Sequence, residues 1–404
     1  MVVAATRPRY CGVLLVAALW LTAGLVCPDG RLAAQKAKRT PPPPPFASLF
    51  PLEEAWMITL PAPPSAPAAY DGARVYVPLA SAQLAALDWR NGDTLWSVSL
   101  KASSGPVCGN GVLYVAAGDA VHALDAATGA SRWTAAASST ISLVLLSGGR
   151  VLAIGPGRVQ AFDAASGASA WTRALEDAGY PVGAVVAGDA LFVSFSDGVV
   201  RRVALADGQL AWSRMVGGRP SPPLVVEEWV YVGDTDNRFR ALDAKNGKER
   251  WAWRTGGDVI GAAADDSPEP KAVYYASLDA VVRAVNPGNG HQRWKRDGGT
   301  RPVAPPLALD GSVVVAGLTP TLSGFAPLTG APQGTFDLPG ESPGQLSGAP
   351  IVSSTLAPRA VAVAVVLKDG RAFGLRALSL MFNESAPQPL TALPGKPLTR
   401  ERLP

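Results

Sequence analysis

Alternating apolar and polar positions dominate the chain after residue 50. In VHALD (Val121 to Asp125) and RFRALD (Arg238 to Asp243) the alternation is that of a strand with one buried face. Each such run leads into a ten-residue phrase that keeps returning. The copies are LDWRNGDTLW ending at Trp96, LDAATGASRW at Trp133, FDAASGASAW at Trp171, VALADGQLAW at Trp212, LDAKNGKERW at Trp251 and VNPGNGHQRW at Trp294. Successive tryptophans are 37, 38, 41, 39 and 43 residues apart. A seventh copy, FAPLTGAPQG, ends at Gly334 and has lost its Trp, while Trp56 precedes Trp96 by 40 residues and has no phrase before it. A fixed period with small changes in loop length is the mark of a repeat architecture.

The phrase predicts a hairpin. Its Asp can accept hydrogen bonds from the turn amides. The glycine four residues on (Gly92, Gly129, Gly167, Gly208, Gly247, Gly290 and Gly330) supplies a positive φ at no steric cost. A short strand carrying the Trp follows. Upstream of each phrase lies another strand, such as GVLYVAA (Gly111 to Ala117) or WVYVGD (Trp229 to Asp234), with an apolar segment such as SGPVC or SPPLVV before it. Four strands in roughly forty residues is the size of one propeller blade. No helical period of useful length appears after residue 50, so the chain reads as all-β.

Counting phrases gives seven blades. Residues 341–380 add three more strands without a fourth, and the segment around Trp56 (EEAWMITL) fits that vacancy. The expected architecture is an eight-bladed β-propeller over residues 51–382, its ring closed by an N-terminal strand. Seven blades is the alternative if residues 345–380 pack elsewhere. Trp56, Trp96, Trp133, Trp171, Trp212, Trp251 and Trp294 are expected to dock each blade on the next, filling a gap that widens away from the axis. Burying such a ring is worth roughly 2–3 kcal/mol.

The ends differ from this pattern. Arg7 and Arg9 precede an apolar run from Cys11 to Val26, with Asp29 and Arg31 behind it, so residues 1–34 read as a signal peptide or N-terminal anchor. The run is shorter than the roughly 20 residues of a spanning helix. Cleavage after Ala34, retention as an anchor and lipidation at Cys27 are the three outcomes, and each exports the propeller. Residues 35–50 read as a basic, proline-rich linker and residues 383–404 as a disordered tail.

Charge then narrows the function. The formal net charge of +4 comes from the N-terminal forty residues, leader and basic linker together: residues 1–40 hold six Lys/Arg and one acid, leaving 30 basic and 31 acidic residues in the rest. A nearly neutral propeller gives no electrostatic case for nucleic acid. Cys108 is the only cysteine beyond the leader, so the propeller has no internal disulfide. His122 and His291 fall at unrelated places in their blades, which argues against a zinc or copper centre and against a Ser-His-Asp arrangement. The acidic stretch GDTDNRFR (Gly233 to Arg240) reads as a hairpin turn and lacks the rest of a calcium loop. The stretches at Gly256 to Asp258 and Asp297 to Arg301 fall in blade-to-blade connections, which gather on one face. Arg219, Asp258 and Arg301 are therefore expected near a shared mouth as contacts for a partner.

The phrase LDxxxGxxxW at this period resembles the PQQ-like repeat, over about residues 51–380. That family includes pyrroloquinoline-quinone dehydrogenases and the outer-membrane assembly lipoprotein BamB. The resemblance implies one of two functions. One is a non-catalytic protein-interaction scaffold of the cell envelope, engaging the β-barrel assembly machinery. The other is a quinoprotein that binds PQQ with calcium held by Glu and Asn, beside an Asp base. The chain lacks the adjacent cysteine pair of many quinoproteins and any CxxCH haem signal, and its uniform blades leave little material for a substrate cavity. The expectation is a scaffold with no cofactor, an exported monomer in the periplasm or anchored facing it, touching membrane only through its N-terminus. Two departures from BamB stand out. Val26 occupies the position before Cys27, where a lipoprotein signal has Gly, Ala or Ser. The stretch Ser213 to Val226 is short and rich in Pro and Gly, where BamB proteins carry an extended Arg/Leu/Asp-rich loop.

Overall fold

Antiparallel pairing of neighbouring runs accounts for the whole architecture. The structure, a computed structural model, describes residues 48–264, 272–309, 311–319, 321–338, 351–352 and 360–378. The leader, most of the linker and the tail assigned from the sequence lie outside the described residues. Those described form eight four-stranded sheets and no helix. Blade 1 runs in chain order through Ala69–Tyr70, Arg74–Leu79, Gln83–Asp88 and Thr94–Ser99, and blades 2 to 7 repeat that order. The eighth sheet breaks it. Ile351–Val352, Val361–Val366 and Arg371–Ala377 pair in sequence, and Leu52–Thr59 takes the fourth place, antiparallel to Arg371–Ala377 with Trp56 opposite Gly374. The N-terminal strand thus completes the last blade of an eight-bladed β-propeller.

The middle strands of each blade are buried on both faces, and the core lies between blades. Leu152, Ile154 and Val159 of blade 3, for example, pack on Leu191, Val193 and Phe195 of blade 4. The fourth strands form the rim and alternate between exposed and half-buried positions. Each of blades 1 to 7 has a register shift just before its Asp-Gly turn, as between Ala86 and Leu87 or Ala161 and Phe162. This bulge sets the Trp opposite a small residue in most blades: Ala86 for Trp96, Ala123 for Trp133, Ala161 for Trp171. A small partner leaves room for the ring to lean toward the next blade.

There it meets the turn glycine. A Cβ on Gly92 would lie 2.8 Å from Trp56, one on Gly129 2.8 Å from Trp96 and one on Gly167 2.7 Å from Trp133. Gly208, Gly247, Gly290 and Gly330 stand in the same relation to Trp171, Trp212, Trp251 and Trp294. Six of the seven indoles also donate Nε1–H to a carbonyl beside that turn, including Trp96 to Ala126, Trp171 to Leu205 and Trp56 to Trp89. Trp251 is the exception: its Nε1 is buried without a partner, while Tyr231 donates to the Pro287 carbonyl at 2.7 Å. Trp56 and Trp294 are buried, and the others remain half-buried because the rim faces solvent. The half-buried rings therefore contribute toward the low end of the expected range.

The Asp of the phrase accepts turn amides. Asp125 Oδ1 takes the N–H groups of Ala127 and Thr128 at 3.0 Å, and Asp243 Oδ1 those of Lys245 and Asn246. Bonds from Arg132 and then Thr128 hold the Asp125 carboxyl at about 2.

Candidate functional site

The topology gives the propeller two unlike faces. The Asp-Gly turns and the hairpins between first and second strands lie on one. The hairpins between second and third strands share the other with the connections that lead to the next blade. Arg219, Asp258 and Arg301 all sit in these connections, and their positions are equivalent. The carbonyl of each accepts an N–H from the adjoining hairpin: Thr235 on Arg219 at 3.1 Å, Leu278 on Asp258 at 2.8 Å and Leu318 on Arg301 at 2.9 Å. Tyr180, whose carbonyl accepts from Ser196, holds the same place one blade earlier. The structure thus sets Tyr180, Arg219, Asp258 and Arg301 in series on blades 4 to 7. Their side chains are not bonded to one another.

Both arginines are exposed, Asp258 is half-buried and Tyr180 is 69% exposed. Leu278 and Leu318 at the hairpin tips and Met215 at the end of its rim strand add exposed apolar surface to the same face. Sequence reading missed Tyr180, Met215, Leu278 and Leu318. For Leu278 and Leu318 the available signal was an apolar residue in a hairpin turn, where Gly, Asn or Asp is usual.

Beneath this surface the hairpins are latched. Arg201 donates to Asp197 at 2.8 Å, and Arg283 donates to Asp279 at 3.0 Å and Ser277 at 2.7 Å. Arg240 lies between Asp234 (3.1 Å) and Glu249 (2.7 Å), with Asp234 only 1% exposed. All three arginines hold the same register position in their blades, and all are buried. Asp236 accepts the Gly218 N–H at 2.8 Å and Asp279 that of Gly256 at 3.2 Å. The Gly-Gly pairs in these connections are thereby explained, since a Cβ on Gly256 would lie 2.5 Å from Asp279. Burial pushes the Asp279 carboxyl up, and the bonds from Arg283 and Ser277 outweigh it, holding it below its ordinary range.

The acids of GDTDNRFR are therefore occupied by turn amides and an ion pair. No group of three or more His, Cys, Asp or Glu residues able to hold a metal occurs among the described residues. His122 sits within its strand with Nδ1 3.1 Å from the Thr134 hydroxyl, and burial lowers its pKa. His291 is exposed beyond its turn.

On the opposite face a cleft of about 490 Å³ separates blades 1 and 2, lined by Tyr70, Asp71, Arg74, Cys108 and Asn110. Asp71 is fully engaged by the amides of Ala73 and Arg74, by Arg74 Nη1 at 3.0 Å and by the Tyr76 hydroxyl at 2.6 Å. Burial pushes its carboxyl up, and these bonds, Tyr76 first, bring it below the ordinary value. The Cys108 thiol lies 2.9 Å from the Tyr70 carbonyl and is pushed up to about 11 by burial and then by the Asp71 charge. Carboxylate and thiol are both committed to neighbours, so the cleft presents neither a general base nor a thiolate at neutral pH. The connection face is the better candidate, a broad surface of guanidinium, phenol and leucine side chains over a latched backbone.

Comparison with known proteins bears on the family and the fold. The family model described as outer membrane protein assembly factor BamB matches three overlapping spans, residues 80–221, 155–313 and 196–365, well over half of the chain. The outer membrane protein assembly factor BamB of Burkholderia pseudomallei (strain K96243) is 29% identical over 133 residues. That stretch is 32% of this chain and 34% of the relative, so the chain spans about a third of the length of the curated relative it matches. Among solved structures, BamB from Moraxella catarrhalis superposes with a TM-score of 0.62 at 18% identity, over 80% of this chain and 97% of that one. The computationally designed Ika8 protein gives 0.66 at 15% identity, over 80% and 99% of the two chains. The quinohemoprotein alcohol dehydrogenase ADHIIG from Pseudomonas putida HK5 gives 0.62 at 13% identity, over 89% and 79%. At such identities the structural likeness shows the fold alone.

Proposed function

The chain belongs to the outer membrane protein assembly factor BamB family, and on that premise we propose that it is a non-catalytic scaffold of the bacterial cell envelope. Its partner is a protein of the β-barrel assembly machinery, and it works exported, facing the periplasm. The observation that carries this reading is the exposed series Tyr180, Arg219, Asp258 and Arg301, flanked by Leu278 and Leu318 on a face held rigid by Arg–Asp latches. A preformed surface loses little conformational entropy when a partner binds. Tyrosine and arginine, here Tyr180, Arg219 and Arg301, are among the residues that most often carry such binding. Because the connection at Ser213 to Val226 is short, the proposed contact uses hairpin tips and connections rather than one long loop.

The experiment is site-specific photo-crosslinking from positions 219 and 301 in the native envelope, with partners identified by mass spectrometry. Recovery of the barrel-assembly subunit from both positions is expected. Recovery of an unrelated partner overturns the assignment to barrel assembly while leaving the scaffold reading in place.

The fold shared with a quinohemoprotein dehydrogenase supports the second reading. The residues present do not fit PQQ with calcium. On the connection face Asp197, Asp234 and Asp279 are each tied to an arginine, and the one cysteine beyond the leader cannot form a disulfide within the propeller.

A further inference from the structure

Charge is unevenly spread around the rim. The rim strands of blades 5 and 6, Glu249–Arg254 and Gln292–Asp297, carry five cations (Arg250, Arg254, Arg293, Lys295 and Arg296) against two acids. Glu249 is taken inward by Arg240. The rim strands of the next quarter of the ring, Pro332–Asp337 and Leu52–Thr59, carry Glu53, Glu54 and Asp337 and no cation. All five cations are exposed, and none pairs with a carboxylate among the described residues. Arg250 lies over the Trp229 ring, Arg293 donates to Asn286, and Arg296 donates to the carbonyls of Thr329 and Gly330. Those contacts orient the guanidinium groups and leave their charge unneutralised.

The rim strand Glu249–Arg254 also carries Trp253, 45% exposed. It sits two residues after the docking Trp251. The equivalent positions hold Ile58, Val98, Ala135, Arg173, Arg214 and Arg296 in the other blades that have a docking Trp. Trp253 is thus a second Trp on its rim strand: its Nε1 lies 2.8 Å from where a Cβ on Gly290 of the next blade would stand, and the rest of the ring is left to solvent.

We propose that the rim of blades 5 and 6 is a docking surface for an anionic phospholipid bilayer. An exposed indole among guanidinium groups matches the bilayer interface, where the ring sits at headgroup depth and the cations meet lipid phosphates. The acidic neighbouring quarter favours a flat surface over a long polyanion. A nucleic acid extending past the patch would meet Glu53, Glu54 and Asp337, whereas a bilayer touches only the edge turned toward it. The polarity would stand the disc on this edge.

The test is co-sedimentation of the full chain with phosphatidylcholine vesicles, with and without phosphatidylglycerol as about a third of the lipid. The wild type is expected to bind the anionic vesicles more tightly, and less so as salt is raised. The double variant Arg254→Glu/Lys295→Glu should weaken that binding at least tenfold, because each cation near such a surface contributes about fivefold. Trp253→Ser should weaken it severalfold at unchanged charge. Either variant, shown folded by an unaltered far-UV spectrum, binding as the wild type does would assign all binding to the N-terminal residues and overturn the proposal. So would charge reversal that abolishes capture of duplex DNA or an acidic peptide while vesicle binding stays the same.

Discussion

At the scale of single residues, the turn glycine does two things, and only one of them is visible in the sequence. The spacing of the phrase requires a left-handed residue, and Gly208 has φ +74. The second demand comes from the preceding blade, whose Trp171 ring lies where a Cβ would project, 2.5 Å away. Two substitutions separate the effects. Gly188 has φ +57 with nothing near its Cβ position, so Gly188→Ala should cost about 1 kcal/mol for the backbone alone. Gly208→Ala adds overpacking against the ring and should cost about 2–4 kcal/mol. Urea unfolding of the two variants checks this, and equal losses would show that the ring contact is slack. The buried arginines were not legible for a related reason. Arg201, Arg240 and Arg283 look like ordinary polar positions of alternating strands, and only the hairpin geometry brings Asp197, Asp234 and Asp279 to them.

At the scale of the element, the informative strand is Leu52–Thr59. It has no Asp-Gly turn before it, yet it carries a Trp at the right step, and the vacancy at the other end of the chain gave it a place. In the structure Trp56 packs on Gly92 and donates to the Trp89 carbonyl at 3.0 Å, while the Trp89 indole donates to Val361 at 2.9 Å. One strand thus joins blade 8 to blade 1, and through it the two ends of the repeat. Deleting Glu53 to Leu60 removes that strand and exposes the edge of Arg371–Ala377. The expected result is a broad thermal transition at much lower temperature, or aggregation through the open edge. A deletion variant that melts as cooperatively as the full chain would refute closure by this strand.

At the scale of the whole molecule, one ring serves either a partner protein or a cofactor, and the charge arrangement separates the two. Carboxylates tied to arginines are poor calcium ligands, since each would have to give up an ion pair first. Titration with PQQ and calcium should therefore give neither saturable binding nor dye reduction with alcohols or aldoses. Turnover in that assay would overturn the scaffold reading. The uneven rim is likewise a property of the whole. The strands Glu249–Arg254 and Gln292–Asp297 are 43 residues apart in the chain, and their cations become one patch only because consecutive blades stand side by side.

By itself the sequence determined the strand period and the blade length, and it pointed to eight blades closed by an N-terminal strand, which the pairing of Leu52–Thr59 with Arg371–Ala377 decided over seven. Period and length follow from local rules, alternation and turn chemistry, repeated until their spacing is unambiguous. The tertiary structure alone decided which residues meet. Arg219, Asp258 and Arg301 were placed in connections by sequence, but their equivalence, and the company of Tyr180, Leu278 and Leu318, required the hydrogen bonds between connection and hairpin. The physical reason is that a propeller's surface is assembled from loops about forty residues apart. Contacts between them depend on the register and bulges of whole blades, which no single stretch of sequence encodes.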